Sequence, residues 1–131
     1  MPEARRRNHR SARQAGTRFE RDIADHLARW VDDRIDRRVK TGANDRGDIG
    51  GVRLSPALAN GRVVIECKNT TRLALGTWAA ETAAERGNDD AVAGLTVHKR
   101  HGVSDPGAQW VTCTVNDLVA LLTGHRPEDP A

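Results

Sequence analysis

Glu66 and Lys68 stand two residues apart at the end of the most strand-like stretch of the chain, Arg62-Val63-Val64-Ile65-Glu66-Cys67-Lys68-Asn69. β-Branched residues run from Val63 to Ile65, and side chains alternate along a strand. Val63, Ile65 and Cys67 therefore share one face, while Val64, Glu66 and Lys68 share the other. A carboxylate and an ammonium are thus placed side by side at the end of a strand that is at least half buried, where each needs a partner or a metal. Two readings are open at this point: a structural ion pair, or a metal-dependent site for phosphodiester hydrolysis. Two further carboxylates, Glu20 and Asp48, bear on the choice.

Glu20 falls on an amphipathic helix expected over roughly residues 13–31, where Phe19, Ile23, Leu27 and then Trp30 or Val31 recur at helical spacing. It flanks the apolar stripe, and by itself it also fits an ordinary helix carboxylate paired with an arginine. Asp32 and Asp33 end the helix. Arg34 to Lys40, carrying Ile35 and Val39, is expected as an edge strand, and Thr41 to Gly47 as a turn-rich loop. Asp48 opens a second strand, Asp48–Leu54, whose Gly50 and Gly51 mark a bulge or a close approach.

The register of this strand against Val63–Lys68 tests the site. If Ser55–Gly61 is the whole connection, Leu54 faces Arg62, Gly50 faces Glu66 and Asp48 faces Lys68, so the three charged groups share a face. A two-residue turn at Asn60-Gly61 would shift the pairing by an odd number and turn Asp48 away. Pro56 cannot donate to a continuous ladder, which favours the wider loop. The site needs that register, or a bulge that restores it.

Downstream, Asn69-Thr70-Thr71 is expected to start a helix reaching about Arg86, with Leu73, Leu75, Trp78, Ala79 and Thr82 near its inner side. Gly87-Asn88-Asp89-Asp90 ends it. Ala91–His98 reads as a small-residue strand, followed by the basic loop His98–Gly102, which is either a phosphate contact or a solvated turn. Ser104-Asp105-Pro106-Gly107 signals a turn. Gln109–Val115 is the last strand, and a helix follows with Asn116 as N-cap, Leu118, Val119, Leu121 and Leu122 inward, and Gly124 as the stop. The order predicts an α/β fold in one domain over residues 13–124, with a basic disordered arm over 1–12 and a flexible tail over 125–131.

With 131 residues, 30% charged and 37% hydrophobic, the chain suits a single domain with a modest core. No run approaches the roughly 18 apolar residues of a membrane span. The first residues lack the apolar core of a secretory signal, so an intracellular, cytoplasmic protein is expected. Cys67 and Cys113 lack zinc-ligand spacing and are expected to be buried small hydrophobes without a disulfide. The formal charge is +3, unevenly spread: six arginines and no acid lie between Arg5 and Arg18, whereas Pro127-Glu128-Asp129-Pro130 is acidic. Such an arm points to a polyanion such as nucleic acid, with a solvated tail as the alternative. The 18 arginines against 3 lysines also fit a GC-rich genome, bacterial or phage. With no Tyr and one Phe, platforms for stacked single-stranded bases are scarce, which favours recognition of duplex or branched DNA through phosphates and shape.

Taken in order, helix with Glu20, strand, strand with Asp48, strand with Glu66-x-Lys68, helix and strand, the chain resembles the PD-(D/E)xK nuclease superfamily, and within it the archaeal-type Holliday junction resolvases. Gly16-Thr17-Arg18-Phe19-Glu20-Arg21, Gly47-Asp48-Ile49 and Ile65-Glu66-Cys67-Lys68 carry the resemblance, which spans roughly residues 14–98. Gly47 stands where the superfamily is named for proline. The resemblance implies a restriction-endonuclease-like core, αβββαβ, with a mixed sheet flanked by helices. It implies a Mg²⁺-dependent, structure-specific endodeoxyribonuclease, with Mn²⁺ able to substitute, acting on four-way junctions as a homodimer that makes paired nicks. Asp48, Glu66 and the Cys67 backbone carbonyl would be the principal ligands, and Glu20 would bind a second ion or its water. Lys68 would orient the attacking water and stabilise the charged phosphorane; surrounded by carboxylates, it should stay protonated. The expected DNA contacts are Arg5, Arg6, Arg7, Arg10, Arg13, Arg18, Arg46, Lys99 and Arg100. A restriction-like, nicking or repair nuclease of the same fold remains open, as does a non-catalytic DNA-binding module. Trp78 and its small neighbours are a candidate dimer surface, with core packing as the alternative.

Overall fold

A computed structural model describes residues 2–39 and 44–127 of the chain, with side chains described from Arg10 onward. Three helices, α1 (Pro2–Trp30), α2 (Leu75–Asp89) and α3 (Val115–Thr123), flank five strands: β1 (Asp36–Arg37), β2 (Ile49–Gly50), β3 (Val63–Lys68), β4 (Ala93–His98) and β5 (Trp110–Thr112). The strands form one mixed sheet in the order β1-β2-β3-β4-β5. β3 and β4 are parallel, with α2 as their crossover, and the other neighbours are antiparallel. The fold is therefore α/β, a five-stranded mixed sheet flanked by helices.

The expected α1 is present but longer: it starts at Pro2 and takes in the stretch read as a disordered arm. Phe19, Ile23 and Ala24 are buried and Leu27 is partly buried, which is the inward stripe of this helix. Each fully buried Phe or Ile contributes about 1.5–3 kcal/mol relative to exposure. Trp30 and Val31 do not extend the stripe. They are 66% and 60% exposed, because the helix stops at Trp30 and the chain turns away there. The Arg29 guanidinium lies over the Trp30 ring instead.

The core joins Phe19, Ile23, Ile35, Ile49, Val63, Ile65, Cys67, Val97 and Ala120 between α1, α3 and one face of the sheet. β1 is shorter than expected: Ile35 is buried just before it, Val39 is 83% exposed, and Lys40 lies outside the described residues together with Thr41, Gly42 and Ala43 of the following loop. α2 begins at Leu75, not at Asn69–Thr71, so Leu73 and Leu75 are exposed instead of inward. Trp78 is buried and packs on the His98 ring at 5.1 Å, so it belongs to the core and supplies no dimer surface.

The last helix is capped by Thr114, not Asn116. The Thr114 side chain accepts from the Asp117 amide while the Asp117 carboxylate accepts from the Thr114 amide, a reciprocal capping box. Asp117 is buried and also accepts from the Gly94 amide at 3.1 Å and from the Arg126 guanidinium at 2.6 Å. Arg126 is buried in turn and donates to the Val92 carbonyl, so the segment read as a flexible tail is pinned there to β4. Glu128, Asp129 and Pro130 lie outside the described residues. Cys67 is buried, but Cys113 is exposed just past β5, contrary to expectation, and both are free thiols. Among the described residues no helix is long and apolar enough to cross a membrane.

Candidate metal centre

β3 is the central strand, and Val63 to Cys67 are all buried. Ile65 packs in the core on the α1 side, so alternation turns Glu66 and Lys68 to the opposite face, under α2. What brings Asp48 to that face is a bulge. The connection between β2 and β3 is wide, with a 3₁₀ turn at Pro56–Leu58 and left-handed Ala59 and Asn60. It leads to Arg53 opposite Arg62, one residue off the expected pairing and of the parity that would turn Asp48 away. Nearer the site Ile49 faces Ile65, so four steps on the β2 side match three on β3. Gly51, at φ +86°, sits in the strand that carries the extra residue. Asp48 is thereby set against Glu66, where the Arg53–Arg62 register continued without a bulge would set it against Cys67 and the expected register against Lys68.

Asp48 is buried, and its Oδ2 accepts from the Cys67 amide at 2.8 Å while its own amide donates to the Ile65 carbonyl at 2.8 Å. Gly47 makes this approach possible. It has φ +94°, and a Cβ there would lie 2.9 Å from both the Ile65 carbonyl oxygen and Val64 Cγ1. Proline, fixed near φ −65°, cannot occupy that position. Glycine at this position, where the resembled superfamily is named for proline, therefore has a backbone cause.

Two helix carboxylates complete the α2 side of the site, and neither was singled out from the sequence. Glu81 and Glu85 are one helical turn apart, a rise of about 6 Å, which nearly matches the ~6.7 Å between alternate strand residues. Glu81 Oε2 lies 2.6 Å from Lys68 Nζ. Glu85 is 5% exposed and its carboxyl meets that of Glu66. Trp78, Thr82, Glu85 and Asp89 are the buried residues of α2, so the inward stripe continues through two acids. That spacing was the available signal; on an alanine-rich helix it reads as a solvated face. Asp45 joins from the loop before β2. Its carboxylate accepts from the Gly47 amide at 2.8 Å, and its carbonyl accepts from the Asn88 side chain at 2.8 Å, tying the loop to α2. Carboxyl oxygens of Asp45, Glu66 and Glu85 lie within 4.8 Å of one another.

This crowding has electrostatic consequences. Burial, reinforced by the neighbouring Glu85 and opposed by Asp48, pushes the Glu66 carboxyl up to about 8. Burial also raises Glu85. For Lys68 burial works towards a lower value, but Glu81, with Glu66 and Asp48, outweighs it and keeps the ammonium above its ordinary value.

Glu20 is not brought to this cluster. Arg37 donates to it at 2.9 and 3.2 Å, and Arg37 pairs with Ile49 on the α1 face of the sheet. Of the expected DNA contacts, Arg10, Arg13 and Arg18 are exposed along α1, and Arg46 is exposed in the loop before β2. Lys99 and Arg100 are folded inward: Lys99 donates to the Arg100 and Val103 carbonyls, and Arg100 donates to the Ala108 carbonyl and lies over the Trp110 ring. The side chains of Arg5, Arg6 and Arg7 lie outside the described residues. A cleft between α1 and β1 is lined by Arg13, Gly16, Thr17, Glu20, Arg37 and Arg38. Arg37 and Arg38 had no distinguishing mark in a chain so rich in arginine. The chain matches no family model, no curated protein and no solved structure.

Proposed function

We propose that the protein is a Mg²⁺-dependent endonuclease of branched DNA, of the kind that cuts four-way junctions. The observation that carries this reading is the convergence of buried Asp48 and Glu66 beside a protonated Lys68, at the point where β2 leaves β3. Glu66 Oε2 is a buried oxygen that no N–H group satisfies, which suits a hard cation that takes oxygen ligands. Asp48, Glu66 and the Cys67 carbonyl would hold the ion. Bound there, Mg²⁺ offsets charge on the phosphate oxygens and makes a water more acidic.

The chain's own groups account for the rest. The Cys67 amide fixes the orientation of the Asp48 carboxylate. Lys68 supplies a fixed positive charge to the phosphorane as negative charge accumulates on it; in the resting protein Glu81, with Glu66 and Asp48, holds the ammonium above its ordinary value against burial, which favours this role over that of a base. Glu81 holds the ammonium in the resting protein and exchanges it for the phosphate. The exposed arginines of α1, Arg10, Arg13 and Arg18, bind phosphates that flank the scissile bond. Paired cuts across a junction require two sites, so the active species is a homodimer, which sedimentation of the purified protein tests.

A second reading has its own support: Glu20–Arg37 and Lys68–Glu81 are closed ion pairs, as expected of a DNA-binding module whose charges are structural. Incubation with labelled four-way junction, linear duplex and single strand, with and without Mg²⁺, separates the two. Metal-dependent nicks on the junction support the nuclease, and binding without products on any substrate supports the module.

A further inference from the structure

We propose that Asp45 and Glu85 join Glu66 in holding the divalent cation of this site, so that the loop before β2 and helix α2 supply the ligands that helix α1 was expected to supply through Glu20. This rests on the nuclease reading only in sharing Glu66 with it. Three elements bring the carboxylates together: the loop, β3 and α2. Their oxygens lie within 4.8 Å of one another, near enough for small side-chain shifts to bring them to the ~3.0 Å of neighbouring or ~4.2 Å of opposite ligands around one Mg²⁺.

An acidic cluster alone says little, but two of its oxygens are anomalous. Glu66 Oε2 and Glu85 Oε2 are buried, on residues 7% and 5% exposed, and apart from each other's carboxyl neither meets a donor. Buried acceptors are normally satisfied, and two facing carboxyl oxygens with no other donor are satisfied either by a proton shared between them or by a cation; Mn²⁺ binding distinguishes the two. The neighbouring side-chain cations are committed elsewhere: Lys68 to Glu81 at 2.6 Å, and Arg38 to Asp89 at 3.4 Å and the Arg46 carbonyl at 3.0 Å. The ligands are also held from behind. The Gly47 amide fixes the Asp45 carboxylate, and Asn88 clamps the Asp45 carbonyl to α2. Glu20 cannot serve in the same way, because Arg37 holds it on the other face of the sheet.

The test uses the full chain without DNA. Mn²⁺ binding is measured by calorimetric titration, and thermal unfolding is followed with and without Mg²⁺. Glu85→Gln and Asp45→Asn are each expected to weaken Mn²⁺ binding by about tenfold or more, the scale of a lost metal contact. Both should unfold at or above the wild-type temperature in metal-free buffer, since each removes a like charge from the cluster. Glu20→Gln is expected to bind within about twofold of wild type, a difference well below the ~1.4 kcal/mol of a tenfold change. Wild-type affinity in both cluster variants, an equal loss in Glu20→Gln, or no Mn²⁺ binding by the wild type would overturn the assignment. Its failure is separable from that of the nuclease reading. Mg²⁺-dependent cutting untouched by Glu85→Gln removes this ligand set and keeps the nuclease. Metal binding lost in the variants of a protein that cuts no DNA does the reverse.

Discussion

Asp48 Oδ2 accepts a hydrogen bond from the Cys67 amide at 2.8 Å, across a strand pair in which Ile49 and Ile65 form the ladder. The carboxylate therefore takes the place of a backbone acceptor where β2 diverges, and it does so beside Glu66. This contact separates the chemical role of Asp48 from its structural one. Asp48→Asn keeps an oxygen for the Cys67 amide while removing the charge. It is expected to fold with near-wild-type stability, bind junctions and cut none. Asp48→Ala leaves that amide buried and unpaired, at a cost of about 1–3 kcal/mol, visible in urea unfolding.

Lys68 and Glu81 make opposite predictions for partners in one ion pair. Lys68→Ala should lower the cleavage rate by about 10²–10³-fold, the loss typical of one group that stabilises transition-state charge. Glu81→Gln should leave cleavage within a few-fold of wild type, because Glu81 holds the ammonium only until phosphate arrives. Single-turnover rates on a labelled junction measure both. Equal losses in the two variants would show that the pair is structural.

Asp117 and Arg126 supply the pH dependence of stability outside the site. Burial raises the Asp117 carboxyl, but the Arg126 guanidinium, the Gly94 amide and Thr114 together hold it below its ordinary value. A carboxyl lowered on folding contributes stability that is complete above the ordinary carboxylate range and is lost as pH falls through the folded value. Unfolding free energy is expected to drop in that acid window. Asp117→Asn should flatten this part of the profile and cost about 3–5 kcal/mol at neutral pH, since it leaves Arg126 buried without its counter-ion. Urea titrations across the acid range give both quantities.

The sheet's centre was legible in the sequence because β3 alternates without interruption and its neighbours are marked by turns and glycines. Gly50 and Gly51 signalled a bulge, but not where its extra residue would fall, and that position decides which way Asp48 points. The α2 contribution was hidden for a different reason. Glu81 and Glu85 lie among alanines and small polar residues, and only the strand beneath them shows that Glu85 lies on the inward stripe of Trp78 and Thr82. Glu20 illustrates the converse. Its place next to Phe19 was readable, but its partner comes from β1, whose two residues carry no strong strand pattern.

Cleavage of a labelled four-way junction by the purified full-length protein, with Mg²⁺ and with EDTA, tests the central claim most directly. The account predicts paired nicks with Mg²⁺ from the wild type, none with EDTA, and none from Asp48→Asn, which still shifts the junction on a gel. Binding without metal-dependent nicks by the wild type, or wild-type cleavage by Asp48→Asn, would contradict it.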